Sequence, residues 1–217
     1  MNTPLENTDQ LQGQVEQAER HHIEKYLHET DQAAVEELGA RYRERVPAER
    51  IEAMKELPTS IEDREAFDNT YIHEAGQAPE PGTRILGYSR GTIEHAHVAI
   101  DHLEVPKTIY HERLHQMSAP GIEKEIGSRL DEGITEDLAI DNLGAEPVQG
   151  GLETYPTERA VAHDVREMCG NDAVEKAYFQ GDTRELRACL DKNLGQDGLR
   201  RLRESLDDWP ELEEQHV

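Results

Sequence analysis

Nine residues constrain this chain more than any others: Thr108-Ile109-Tyr110-His111-Glu112-Arg113-Leu114-His115-Gln116. Pro106 suits the first turn of a helix, since its φ is fixed there and its missing N–H would be unpaired anyway. Ile109, Tyr110, Leu114 and Met117 recur at helical spacing, and Ser118-Ala119-Pro120-Gly121 stops the run. Positions i and i+4 of a helix lie one above the other, so His111 and His115 project from one face. Two imidazoles so placed can hold Zn²⁺ at about 2.0–2.1 Å each. Glu112 then lies beside a water on that metal, as a general base. A catalytic zinc takes three protein ligands and keeps one open position, so the helix must pack against an element that supplies the third.

The next helix offers it. Gly127-Ser128-Arg129-Leu130-Asp131-Glu132-Gly133-Ile134-Thr135-Glu136-Asp137-Leu138 continues to Leu143, and Gly144 ends it. Glu132 and Glu136 are again i and i+4, and Ala139 and Leu143 extend their stripe. Two carboxylates among apolar neighbours point inward, where charge is costly without a partner. A cation would supply one. Ile126, Leu130, Ile134 and Leu138 form a second apolar stripe, which predicts burial on two faces. Sixteen residues separate His115 from Glu132 and twenty separate it from Glu136, so the spacing admits either glutamate as ligand.

The H-E-x-x-H segment followed by Asp131-Glu132-Gly133-Ile134-Thr135-Glu136 resembles the gluzincin branch of the zincin metallopeptidases, which includes thermolysin-like proteases and neutral zinc aminopeptidases. The resemblance covers about 30 residues, Thr108 to Leu138. It implies His111, His115 and Glu132 as zinc ligands, with Asp-Glu-Gly matching the ligand position, and Glu112 as general base. It also implies Glu136 as the carboxylate that hydrogen-bonds a ligand histidine, fixing its tautomer and raising its basicity. Zincins further use a hydrogen-bond donor for the oxyanion. Tyr155, His163 and Tyr178 are the candidates, Tyr155 first, because it follows the metal helix most closely. A strand beside the active-site helix pairs with extended substrate in this architecture, which places Val98, Ala99 and Ile100 at the substrate cleft.

The expected fold is α+β and mostly helical, a small zincin-like domain with a short sheet beside the active-site helix. Residues 1–57 read as a helical layer or arm, with stripes at Val15, Ala18, His22, Ile23, Tyr26 and Leu27 and at Ala34, Val35, Leu38 and Tyr42, and a break at Pro47. Residues 58–217 form the metallopeptidase domain. His21, His22 and His28 are expected to be solvent-exposed. A loop runs from Ala75 to Gly82. Arg84–Ser89 and Ile93–Ile100 read as two strands around Arg90-Gly91, with Ala96, Val98 and Ile100 facing the core and His95 and His97 outward. Helices are predicted over Thr157–Cys169, Asn171–Phe179, Thr183–Leu194 and Gly198–Leu206, with Thr157, Asp172 and Asp182 as N-terminal caps. The tail from Trp209 to Glu214 is expected to fray.

With 217 residues the chain is long enough for a real core. Its formal net charge of −24 argues against nucleic acid and anionic membrane as partners, both of which want a basic face. A peptide or protein substrate is expected. No apolar run approaches the roughly 18 residues of a membrane span. The start Met1-Asn2-Thr3-Pro4-Leu5-Glu6 lacks signal-peptide character, so cytoplasmic residence is the default, with signal-free secretion as an effector the alternative. Cys169 and Cys189 give neither a disulfide framework nor a metal spacing, and a buried structural role is expected. Two functional readings stand: a zinc metallopeptidase, including one dedicated to a single partner protein, or an inert interaction module of the same fold. In the second, a closed zinc site takes a fourth ligand from Glu136 or a loop histidine.

Overall fold

One helix, α4 (Val105–Met117), runs through the centre of the protein, with α1 (Pro4–Arg41), α2 (Ala48–Glu56), α6 (Ser128–Leu143), β2 (Gly87–Ser89) and β3 (Ala96–Ala99) packed against it. In this computed structural model the described residues are 4–57, 59–79, 85–89, 95–100, 105–144 and 155–208, with backbone alone over 4–20. Pro106 lies in the first turn of α4 and the helix stops before Ser118, as its sequence dictates. All its residues except Pro106 and His115 are buried, so the polar ones must find partners. Arg113, 2 % exposed, shows how. Its Nε and Nη2 donate to Asp31 at 2.8 and 2.6 Å, and Nη1 donates to the carbonyls of Met54 and Leu57 at 3.1 and 2.6 Å. That planar fork fastens α4 to α1 (Pro4–Arg41) and α2 (Ala48–Glu56).

From Leu27 onward α1 is a layer of the same core: Leu27, Ala34, Val35, Leu38 and Tyr42 are buried in one cluster with Ile109 and Leu114 of α4. Residues 21–26 are exposed, as are His21, His22 and His28, which agrees with the expectation for those histidines. The side chains of Val15 and Ala18 lie outside the described residues, as do Arg84, Arg90, Gly91, Ile93, Glu94 and the tail from Trp209.

The sheet has three strands, β1 (Thr59–Glu62), β2 (Gly87–Ser89) and β3 (Ala96–Ala99), in the order β1-β3-β2. β2 and β3 pair antiparallel, as the two predicted strands should, while β1 joins β3 in parallel. Two expectations are corrected by this topology. β3 is the middle strand, so both its edges are taken and Val98, Ala99 and Ile100 cannot pair with a substrate. Val98 and Ala99 are fully buried, and Ile100 N–H donates to the Glu62 carbonyl. His97 does not face outward either. The helix α3 (Arg64–Ala75) follows β1 and covers the sheet's second face. Under it His97 is 6 % exposed, hydrogen-bonded through Nδ1 to Glu62 at 2.6 Å and stacked on Tyr88. His95 is exposed, as expected.

On the other side of α4 lie α5 (Ile122–Ile126), α6 (Ser128–Leu143) and α7 (Pro156–Cys169). Leu130, Ile134 and Leu138 of α6 are fully buried on one stripe and Glu136 and Ala139 on the other, the two-faced burial its sequence predicts. The crossing of α6 and α7 depends on Gly133, where a Cβ would stand 2.2 Å from the backbone oxygen of Glu158. Alanine is the better helix former by about 1 kcal/mol, but the partner atom here is backbone and cannot step aside. Gly133→Ala should therefore destabilise the protein by about 2–3 kcal/mol net, lowering Tm by about 4–12 °C in thermal unfolding. An unchanged or raised Tm would show that α7 does not sit this close.

α8 (Asn171–Gln180), α9 (Arg184–Leu194) and α10 (Gly198–Asp207) complete the chain, within two residues of the predicted spans. Their caps differ. Tyr155, in the left-handed region at φ 59°, takes the N-cap place of α7 ahead of Pro156, in place of Thr157. Gly170 precedes α8, so Asp172 is not a cap, and the N-cap place of α9 is taken by Thr183, with Asp182 just before it accepting from the Arg184 N–H at 3.3 Å. Cys169 and Cys189 are half-buried and joined in a disulfide, with Cα atoms 5.6 Å apart. This corrects the expectation of two separate buried thiols: α8 reverses the chain and brings the end of α7 against α9, a proximity that a spacing of 20 residues does not reveal. No helix among the described residues is long and apolar enough to cross a membrane.

Candidate metal centre

α4 and α6 pack side by side so that the His111–His115 face of one meets the Glu132–Glu136 stripe of the other. Three donor atoms converge there. His111 Nε2 is 3.1 Å from His115 Nε2 and 3.1 Å from Glu132 Oε2, and His115 Nε2 is 3.4 Å from the same oxygen. The edge of a tetrahedron with zinc-ligand arms of about 2.0–2.1 Å is about 3.3–3.4 Å, so this triangle has the size of one face of a zinc coordination shell. Among the described residues no other group of three histidine, cysteine or carboxylate side chains could hold a metal ion. Glu132 and His115 are each partly exposed, which leaves the triangle open on one side.

Behind the donors stands a ring of carboxylates. Glu136 Oε2 lies 3.1 Å from His111 Nδ1, and its Oε1 accepts from Lys107 Nζ at 2.7 Å. Burial raises the Glu136 pKa, but His111 and Lys107 outweigh it, so the group is held below its ordinary value and stays ionised. An ionised carboxylate only accepts, so Nδ1 of His111 donates to Glu136, and a metal at the triangle would take the lone pair of Nε2 in place of its proton. Glu136 thus sits on the far side of His111 and is no candidate for a fourth ligand. Asp131 lies behind His115, its Oδ2 3.6 Å from Nδ1, too far for a hydrogen bond. Burial pushes the Asp131 carboxyl up to about 6. The sequence reading missed Asp131 and Lys107. Asp131 was visible as the neighbour of the ligand glutamate, whereas Lys107, one turn before His111, had nothing to mark it as buried.

The carboxylates draw positive charge onto the histidines. Burial lowers the His111 pKa, yet the hydrogen bonds from Glu132 and Glu136 raise it to about 10, and Glu132 raises that of His115 as well. Glu132 is itself raised by burial but driven well below the ordinary carboxylate range by the two imidazoles. Four carboxylates (Glu112, Asp131, Glu132 and Glu136) share this pocket with the ammonium of Lys107. Protonated imidazoles offset these carboxylates, and a divalent ion at the triangle would take over that role when the histidines give up protons to bind it. The donor set, two imidazoles and a carboxylate, is the one zinc accepts.

Glu112 is 4 % exposed and does not belong to the triangle. Its Oε2 is buried without a hydrogen-bond partner, and so is the Ser89 hydroxyl on β2. Ser89 is near enough to pull the Glu112 pKa down slightly, yet neither atom closes a hydrogen bond to the other. The larger influence is burial, which raises the Glu112 pKa against the opposing pull of His111 and His115. Gly87 makes this contact with the sheet feasible: a Cβ there would lie 2.6 Å from Thr108 Cγ2 and 2.9 Å from Glu112 Oε1.

Of the three expected oxyanion donors, Tyr155 reaches the site. Its ring stacks on that of His111 with centroids 5.9 Å apart and planes 14° from parallel, and its hydroxyl is within electrostatic reach of Glu132. Tyr155 is 36 % exposed, and desolvation together with Glu132 raises its pKa. His163 is exposed beside Asp137 at 3.5 Å, and the Tyr178 hydroxyl is sealed in the core 2.7 Å from Thr135 Oγ1, so both belong to the packing of the helices. No protein-family model matches the chain, and no curated protein or solved structure matches it.

Proposed function

We propose that the protein is a zinc-dependent peptidase, with His111, His115 and Glu132 as metal ligands. The observation that carries this reading is the triangle of donor atoms, 3.1 to 3.4 Å on each side, with an unpartnered buried carboxylate, Glu112, alongside. Zinc in that position supplies Lewis acidity, polarising a carbonyl and lowering the pKa of water to about 7. The chain's own groups do the rest. Glu112, kept basic by burial, takes the proton of the attacking water and returns it to the leaving amine. Tyr155 donates its phenolic hydrogen to the oxygen on which charge develops. Glu136 holds the His111 imidazole in the tautomer that binds metal.

The substrate is an extended peptide or protein segment. With β3 enclosed, the strand assigned to receive it is β2, an end strand of the described sheet whose Gly87 lies against Glu112. A net charge of −24 disfavours nucleic acid and anionic lipid as partners. The test is metal analysis of the purified protein combined with a cleavage screen across a whole proteome, wild type against Glu112→Gln. Bound zinc with cleavages present only in the wild type supports the reading. Bound zinc without cleavage points to the inert zinc-binding module, and neither zinc nor cleavage removes both.

A further inference from the structure

We propose that the Cys169–Cys189 disulfide is a reducible brace that holds the C-terminal helices against the metal-bearing helix α6. It stands apart from the peptidase reading, because it concerns how the scaffold is closed. α9 and α10, 11 and 10 residues long, bury little: Leu186 and Leu190 from the first, Gly198, Leu199 and Leu206 from the second. Yet α10 packs on the start of α6, three residues before Glu132. There Arg129 donates to the Leu206 carbonyl, and Arg203 Nη1 to the carbonyls of Lys124 and Glu125 at 3.2 and 3.1 Å. Arg187 and Glu125 add an exposed ion pair, which contributes little. The firm attachment is covalent. The disulfide ties the middle of α9 to the last residue of α7, and α7 is independently fixed to α6 by Arg166 on Asp137 and Asp141 and by Arg129 on Glu158. Breaking the bond therefore removes the covalent tie of α9, and through it of α10, while leaving α7 in place. Both cysteines are half-buried, so a reductant can reach them. Such a bond suits an oxidising compartment better than the cytoplasm that the sequence had suggested.

The chemistry is a two-electron exchange with a dithiol. Its thiolate attacks one cysteine sulfur, the other cysteine leaves as thiolate, and the second thiol of the reagent closes it to a cyclic disulfide. The two electrons and two protons it gives up end as thiols at Cys169 and Cys189. The experiment compares the purified protein before and after dithiothreitol, by thiol titration under denaturing conditions, thermal unfolding and amide hydrogen exchange. The expected result is no free thiol before treatment and two after it, with Tm lower by about 6–12 °C. Exchange should rise at least about tenfold in α9 and α10 and stay unchanged in α4. The double variant Cys169→Ser/Cys189→Ser should show the reduced protein's Tm and no response to reductant. Should that variant not fold, the reduced wild type supplies the same readouts. Two free thiols in protein purified without reductant, a Tm that moves by less than about 2 °C, or a loss of protection spread evenly over the chain would each overturn the proposal.

Discussion

Glu112→Gln should lower the rate of peptide hydrolysis by about 10²–10⁴-fold and leave zinc bound at about one ion per chain. The two halves of that result have separate causes. Glu112 is not among the converging donors, so exchanging its carboxylate for an amide of the same shape removes no ligand. It does remove the basic group that burial maintains beside His111 and His115. Because the carboxylate acts on the attacking water rather than on the bound peptide, kcat should fall with little change in KM. Packing should survive as well: Gln fits where Glu112 meets Gly87 and Thr108, and Oε2 has no hydrogen bond to lose. Steady-state kinetics on a substrate from the proteome screen, with zinc content measured on the same samples, checks both halves. A variant that cleaves at the wild-type rate would mean that Glu112 is not the base. A variant that loses its zinc would mean that Glu112 is a ligand.

Much of the scaffold was legible because α4 and α6 carry strong local signals. Pro106, the Ser118–Gly121 stop and Gly144 bound the two helices, and the i, i+4 pairs on each show which faces meet. Glu136 was legible for the same reason. The C-terminal helices were read within two residues because Gly170, Gly181 and Gly195 punctuate them. What escaped has a common cause, namely partners far away in the chain. β1 offers a single large apolar residue, Ile61, and α3 buries only Phe67, so neither shows a periodic pattern. The Asp63 cap and the left-handed Gly76 that bound α3 were in the sequence, but caps without a stripe between them are weak signals. Missing β1 made β3 look like an edge, which misplaced the substrate contact at Val98, Ala99 and Ile100, and missing α3 left the face of His97 looking outward. Buried Arg113 and Lys107 are ordinary charged residues until Asp31 and Glu136 are set beside them.

The second large effect separates the two glutamates. Removing Glu132 leaves two imidazoles, too few to keep zinc against a mild chelator, so Glu132→Ala should emerge essentially metal-free. Glu136 touches His111 from the Nδ1 side and Lys107 on its other oxygen. Glu136→Gln keeps the shape and an acceptor for Lys107 while weakening the hold on His111. Loss of such a supporting partner costs about 10–100-fold in metal affinity or activity. His111→Ala/His115→Ala should take up no zinc at all. The most direct measurement is therefore the zinc dissociation constant of the wild type, Glu132→Ala and Glu136→Gln, taken by competition with a chelating dye on protein whose fold is verified by circular dichroism. The site described above predicts about one tight zinc in the wild type, none retained by Glu132→Ala, and one held about 10–100-fold more weakly by Glu136→Gln. A folded wild type that takes up no zinc, or a Glu136→Gln that loses the metal while Glu132→Ala keeps it, would contradict it.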